Sequence, residues 1–199
     1  MTVQLRLSDG DTRRMTLQDW YAPATTEEVE LLRRLTGPVL DLGCGPGRLV
    51  VALTELGIPA LGIDASPNAL GHAAARGAAT LRHSVFDPLP GEGRWATVLL
   101  FDGNIGIGGD PTYLLRRAGR LLRPNGVVVV EVDATGGPAR STYARLEQDG
   151  EATAWFPWAF VTTDSIDGIA EAAGLWRSDA TWIEQRCFVF LCRQTEQPR

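Results

Sequence analysis

Val39-Leu40-Asp41-Leu42-Gly43-Cys44-Gly45-Pro46-Gly47-Arg48 is the most informative stretch of this 199-residue chain. Its first four residues read as a buried strand and its glycines as a tight turn. Leu49, Val50, Leu53 and Leu56 then form the apolar face of a helix that Gly57 stops. Glycine has no Cβ, so such a turn lets a ligand approach the backbone, although a plain structural turn is the alternative use. The dinucleotide fingerprint G-x-G-x-x-G would put its third glycine at position 48. Arg48 stands there and Gly47 is the third glycine, which disfavours NAD and FAD.

Outward from this turn, strands and helices alternate, the pattern of a sheet covered on both faces. Residues 60–64 read as the second strand, ending at Asp64. That carboxylate can accept hydrogen bonds from two ribose hydroxyls or cap the next helix, a task open equally to Ser66. Pro67 takes the first turn of that helix and Gly77 ends it. Further strands are expected at 80–85, 95–101 and 127–130. A glycine-rich loop follows at 103–109, and a helix opens at Asp110-Pro111 and closes at Pro124. Upstream, Val3, Leu5 and Leu7 alternate ahead of a Ser8-Asp9-Gly10-Asp11 turn, suggesting a short hairpin. Thr25-Thr26-Glu27-Glu28 carries a capping box before Leu31, Leu32 and Leu35. Downstream, Asp149-Gly150 marks a second hairpin between 142–146 and 152–156. Asp164 is expected to cap a helix carrying Ile166, Ile169, Ala170 and Ala173. Residues 176–183 and 187–192 are joined so tightly that they must be antiparallel. The expected architecture is a mostly parallel α/β sheet ending in an antiparallel pair. It forms one domain: an N-terminal part at 1–37, a core at 38–133, a hairpin insertion at 134–161, and a last helix and strands at 162–199.

Composition narrows the chemistry. With 44% hydrophobic and 22% charged residues the chain is ordinary globular protein, long enough to need no staple. Cys44, Cys187 and Cys192 are odd in number and form no C-x-x-C pair. This argues against a disulfide framework and a zinc site, and fits a reducing, cytoplasmic setting; no metal is expected. No basic-then-apolar start or long apolar run suggests a signal or a membrane span. All 19 basic residues are Arg, so Schiff-base and P-loop lysine chemistry are excluded. A net charge of −5 speaks against nucleic-acid partners. Arg116, Arg117, Arg120 and Arg123 read as the solvated face of a helix. His72, on a helix, and His83, inside a strand, read as structural.

The pair Asp41 to Arg48 and Gly62-Ile63-Asp64-Ala65-Ser66-Pro67 resembles the class I S-adenosylmethionine-dependent methyltransferase superfamily. Phe86-Asp87 matches the family's polar position after its third strand. Leu121-Leu122-Arg123-Pro124-Asn125-Gly126 matches its Pro-Gly-Gly stretch, with Asn125 replacing a glycine. The resemblance spans motifs in 39–133 and the closing strands. It implies a Rossmann-like three-layer sandwich with a seven-stranded sheet, S-adenosylmethionine as cofactor and S-adenosylhomocysteine as product. It also implies that Asp41, Gly43, Cys44, Gly45, Gly47 and Arg48 hold the methionine end, Asp64 and Ala65 the ribose, and Phe86 and Asp87 the adenine. Asp102, Gly103 and Asn104 would face the reactive methyl and the acceptor.

Methyl transfer is an in-line displacement whose main demand is alignment. A base is needed when the acceptor is a hydroxyl or a protonated amine. Asp102 is the first candidate and Asp133 the second, although Asp102 can equally shape its loop. The family's N-(D/N)-P-P-(Y/F) sequence is replaced by Asp102-Gly103-Asn104-Ile105, so the expected acceptor is the O or N of a small molecule. Trp20 and Tyr21, with Trp155, Phe156, Trp158 and Phe160, form either a lid over the acceptor or an apolar plug. The alternatives are a nicotinamide- or nucleotide-linked enzyme and a cofactor-binding module without turnover; either a monomer or a homodimer is expected.

Overall fold

The computed structural model describes residues 2–16, 20–134, 136–148 and 150–193. Its strands are β1 (Thr2–Leu7), β2 (Thr12–Thr16), β3 (Val39–Leu42), β4 (Ala60–Asp64), β5 (Thr80–Arg82), β6 (Trp95–Leu100), β7 (Leu122–Val132), β8 (Arg140–Gln148), β9 (Glu151–Ala152), β10 (Phe156–Phe160), β11 (Leu175–Ile183) and β12 (Arg186–Arg193). Its helices are α1 (Thr26–Arg33), α2 (Arg48–Glu55), α3 (Pro67–Ala75), α4 (Pro111–Leu121) and α5 (Ile166–Ala172).

The main sheet has seven strands in the order β11-β12-β7-β6-β3-β4-β5. From β7 to β5 neighbours are parallel, while β12 runs antiparallel to both β7 and β11. Every residue of β3 and β6 is buried, as strands covered on both faces must be. Alternate residues of β6 enter opposite cores. Val98 and Leu100 pack with Leu114, Leu115 and Ala118 of α4, whereas Leu99 and Phe101 pack with Leu31 and Leu32 of α1 and Leu53 of α2. Thr25 caps α1 with the expected box, and Ser66 and Asp110 cap α3 and α4.

A second sheet has the order β10-β8-β1-β2, with β9 on β8. The N-terminal hairpin forms as expected, with Leu5 opposite Arg13. The insertion is not separate from it, because β1 also pairs with β8 and sets Leu5 opposite Leu146. The N-terminal hairpin and the insertion, expected as separate parts of one domain, are joined as one roof. Leu5, Leu7, Ala144, Leu146, Phe156, Trp158 and Phe160 cluster on its inner face. Asp149 of the expected turn lies outside the described residues, but Glu147 opposite Ala152 fixes the hairpin register.

Three local expectations change. The third parallel strand stops at Arg82 rather than 85, leaving His83 just beyond its C-terminal end. Ser165, not Asp164, precedes α5, and Asp164 instead accepts from the Gly137 N–H at 2.9 Å. Arg117 is not on a solvated face. It donates to the Val85 and Asp87 carbonyls and to Glu92, pinning the loop after β5 with only 11% of its side chain exposed.

Candidate functional site

Parallel strands all end on one edge, and there the structure holds a crevice of about 570 Å³. Its floor is the glycine turn. Gly43 and Gly45 have φ of +81° and +52°, a left-handed backbone that suits glycine. A Cβ at Gly43 would lie 2.6 Å from Asn104 Nδ2, whereas one at Gly45 would meet nothing within 4 Å. Gly43 is therefore closed in by protein, and Gly45 bares its backbone to the crevice. The N-terminus of α2 follows directly, bringing the positive end of a helix dipole to the same place.

Two carboxylates flank the turn. Asp41 closes on the crevice from β3, only 2% exposed, and no donor reaches its carboxylate among the described residues. Burial, reinforced by the negative charge of Asp102, raises its pKa to about 7, against the pull of Arg48. Asp64, at the end of β4, is held by two backbone donors. Gly45 N–H reaches Oδ2 and Ser66 N–H reaches Oδ1, each at 2.8 Å. This orientation leaves lone pairs on both oxygens for a ligand. Ser66 itself caps α3 through Ala69 N–H, so the two residues do not compete.

At the far side, Asp102 and Gly103 occupy left-handed turns with φ of 56° and 77°. Asn104 follows, and its amide donates to the carbonyls of Leu42 and Gly43 at 3.0 and 2.9 Å, tying this turn to the glycine turn. Both oxygens of Asp102 accept from Arg48 Nη2 at 2.7 Å, and Arg186 reaches Oδ1 at 3.2 Å. Asp102 N–H donates to Glu131 at 2.7 Å, and Arg186 forks that same carboxylate at 2.7 Å to each oxygen. Glu28 completes the network through Arg48 and Arg186. Burial raises the Asp102 carboxyl even though Arg48 pulls it down, and Glu131 adds to the rise. Burial also opposes ionisation of Glu28, but Arg186 and Arg48 hold that carboxyl below its ordinary value. Both Asp102 oxygens are taken up in ion pairs, so a proton arriving there must displace a guanidinium contact.

Of the residues singled out in the sequence, Asp41, Gly43, Cys44, Gly45, Arg48, Asp64 and Ala65 meet in the crevice. Asp102, Asn104, Trp20, Tyr21 and Trp158 line it from the other sides. Gly47, Phe86, Asp87, Gly103, Asp133 and Trp155 do not line it. Because β5 ends early, His83, Ser84 and Val85 occupy the wall expected for Phe86 and Asp87. Phe86 stacks on Tyr113 at 5.4 Å, and Asp87 turns back to accept from Ser84 N–H. Trp155 is 44% exposed and carries the Arg145 guanidinium 4.8 Å from its ring, whereas Trp158 points inward. Asp133 pairs with Arg13 at 3.2 Å beside a smaller, second cavity, which Gly103 also lines.

Phe156, singled out with the other aromatics, lines the crevice too, whereas the roof residues Leu5 and Leu146 and the partners Glu28, Glu131 and Arg186 were not anticipated as parts of the site. The one available signal was polar: Glu131 interrupts a valine-rich strand buried on both faces, which an unpaired charge would not tolerate.

A profile described as a methyltransferase domain matches residues 12–176. A SAM-dependent methyltransferase from Bacteroides fragilis, in complex with S-adenosyl-L-homocysteine, is similar in structure. Its TM-score is 0.82 at 20% identity, over 98% of this chain and 89% of that one. The 1,6-didemethyltoxoflavin-N1-methyltransferase of Burkholderia thailandensis gives 0.63 at 22% identity, over 86% and 78% of the two chains. By sequence, the ubiquinone biosynthesis O-methyltransferase of Azorhizobium caulinodans is 33% identical over 105 residues, 50% of this chain and 42% of that protein. A lysine N-methyltransferase of Mus musculus, named for ATP synthase, is 41% identical over 51 residues, 24% and 21% of the two. The chain thus spans less than half the length of these curated relatives. The profile match over most of the chain, with the fold it shares, shows that this protein belongs to the methyltransferase-domain family, within the class I S-adenosylmethionine-dependent superfamily.

Proposed function

We propose that the crevice binds S-adenosylmethionine and that the protein transfers its methyl group to oxygen or nitrogen of a small molecule. The observation that carries this reading is the buried, unpartnered Asp41 carboxylate beside the bare backbone of Gly45. That carboxylate opens only onto the crevice and its burial disfavours the charged form, a cost that a ligand ammonium group would offset. Asp64, already oriented by Gly45 and Ser66, suits a pair of vicinal hydroxyls. The donor set therefore fits the cofactor's methionine amine and ribose, with Ser84 and Val85 beside the adenine.

When bound, S-adenosylmethionine supplies an electrophilic methyl group on a positively charged sulfur. The chain's own contribution is alignment and exclusion of water. Asp41 and the glycine turn fix one end, Asp64 the other, and Trp158 with Phe156 covers the space above. Arg48 and Arg186 hold Asp102 as a wall rather than as a base, so no proton transfer is routed through it. A small acceptor is favoured because the roof closes the crevice over Asp102 and Asn104. Residues 38–133 would then serve the cofactor, and the roof segments the acceptor. Three free cysteines fit a reducing compartment such as the cytoplasm.

Calorimetry with S-adenosylmethionine, S-adenosylhomocysteine and NADH tests the cofactor assignment. The first two bind and NADH does not; binding of NADH alone would overturn it. Transfer of labelled methyl across a panel of small acceptors, with a denatured-protein control, tests turnover.

A further inference from the structure

A second cavity of about 220 Å³ lies between the roof and the C-terminal ends of β6 and β7. Leu5, Asp102 and Trp158 line both this cavity and the larger crevice. One wall carries the carboxylates of Asp102, Glu131 and Asp133; the opposite wall carries the rings of Trp158 and Phe160. Among the described residues, Arg13 is the one cation lining this cavity, and Arg140, paired with Asp9 and Asp11, stands 5.4 Å from the Phe160 ring. The Arg13 guanidinium is already engaged, 3.9 Å above the Phe160 ring and 3.2 Å from Asp133.

The charges around this space do not cancel. Among the described residues, the ionised groups lining it and their direct partners are four carboxylates (Glu28, Asp102, Glu131 and Asp133) against three guanidinium groups (Arg13, Arg48 and Arg186). The adjoining crevice adds Asp64 and, among those same residues, no further arginine, while Asp41, its pKa raised to about 7, contributes only part of a charge. A cofactor with one net positive charge answers only part of that surplus. What remains is a compact space, negative on one side and aromatic on the other.

We propose that this second cavity receives the methyl acceptor and selects a small amine. The proposal rests on the cofactor reading above and gives its acceptor a chemical class. Ammonium groups are recognised by carboxylates and by aromatic faces together, and Trp158 presents the ring at the boundary with the cofactor crevice. The same charge surplus works against hydroxyl acceptors. Activating a hydroxyl places a new negative charge beside those already there, and Asp102 is held in ion pairs. An amine needs only to shed its ammonium proton to water, for which Asp133, 34% exposed, offers a way out. The nitrogen lone pair then forms the new N–C bond as the C–S bond breaks and its electron pair returns to sulfur. The product leaves as a methylammonium ion, so the reaction as a whole releases one proton, the one shed to water before the transfer. The cavity volume admits a body of about one ring, below the usual range for ligand pockets.

The test uses full-length protein saturated with S-adenosylhomocysteine and three probes of one shape: phenethylamine, 2-phenylethanol and phenylacetate. Calorimetry or ligand-observed NMR should find the amine bound about tenfold more tightly than the alcohol, and the acid not at all. Asp133→Asn should cut amine affinity about fivefold and leave the alcohol and S-adenosylhomocysteine within about twofold. Equal or tighter binding of the alcohol or the acid overturns the proposal. So does failure of all three probes on protein that binds S-adenosylhomocysteine. Failure of S-adenosylhomocysteine itself would remove the cofactor reading, and this one with it.

Discussion

Between Val39 and Asp64 the crevice floor is assembled from near neighbours: a strand, a turn, a helix and the next strand, with Asp64 reaching back only to Gly45. The roof above it joins residues 2–16 to residues 140–160, and Arg6 meets Glu147 across 141 positions. The floor's shape is set by glycines in left-handed backbone, two of which, Gly43 and Gly47, also leave no space for a Cβ. The roof's shape is set by apolar packing that tolerates exchange of one side chain for another. A glycine turn is therefore intolerant of single substitutions and readable from the sequence. A roof of paired strands is forgiving in detail and hidden in the sequence.

Breaking the floor should have the largest effect. Gly43→Val forces a β-branched residue to φ +81° against Asn104, and should weaken S-adenosylhomocysteine about 100-fold or more in calorimetry. Breaking the roof comes next. Leu7→Ala empties a site 1% exposed and should cost about 2–4 kcal/mol in denaturant unfolding. Hydrogen exchange in this variant should accelerate at 2–16 and 140–160 together. If only the first segment responded, the two would not be one unit.

Asp41 sharpens the comparison by opposing binding to stability. Its folded pKa of about 7 lies above the ordinary carboxylate value, so protonation favours the folded free protein. That stabilisation is complete below pH 4 and is lost as pH rises through 7. Asp41→Asn, which cannot ionise, should therefore gain thermal stability over the native protein by about 1–3 kcal/mol at pH 8. The advantage should shrink as pH falls towards 4, and ligand affinity should drop throughout. Asp64→Ala removes its contacts to the two hydroxyls and should cost about tenfold or more in S-adenosylhomocysteine affinity, with about 1 kcal/mol of stability lost as Gly45 and Ser66 N–H lose their acceptor. The smallest effect belongs to the exposed Arg34–Asp179 pair, where Asp179→Ala should move stability by no more than about 0.5 kcal/mol.

The boundary between what the sequence shows and what it hides follows the same division. The strand before Gly43, the caps Thr25, Ser66 and Asp110, Asp64 and the closing antiparallel pair all rest on interactions a few residues apart, where residue type and spacing carry the physics. The β1–β8 pairing rests on two amphipathic strands, each of which could have paired elsewhere. Arg48 illustrates the limit within one motif. Its position as the residue ending the glycine turn was legible, but its partners Glu28 and Asp102 lie 20 and 54 residues away and no local pattern announces them. Phe86 and Asp87 stand off the crevice for a smaller reason: β5 holds three residues rather than six, so His83, Ser84 and Val85 take that wall, while the next strand begins at Trp95 as expected.

The long span of the roof also governs when the site can first exist. During synthesis, β1 and β2 emerge early but must wait for β8, which at about 5–20 residues per second takes roughly 7–30 s. Until then one edge of the nascent hairpin is open to any passing strand, and the floor lies uncovered.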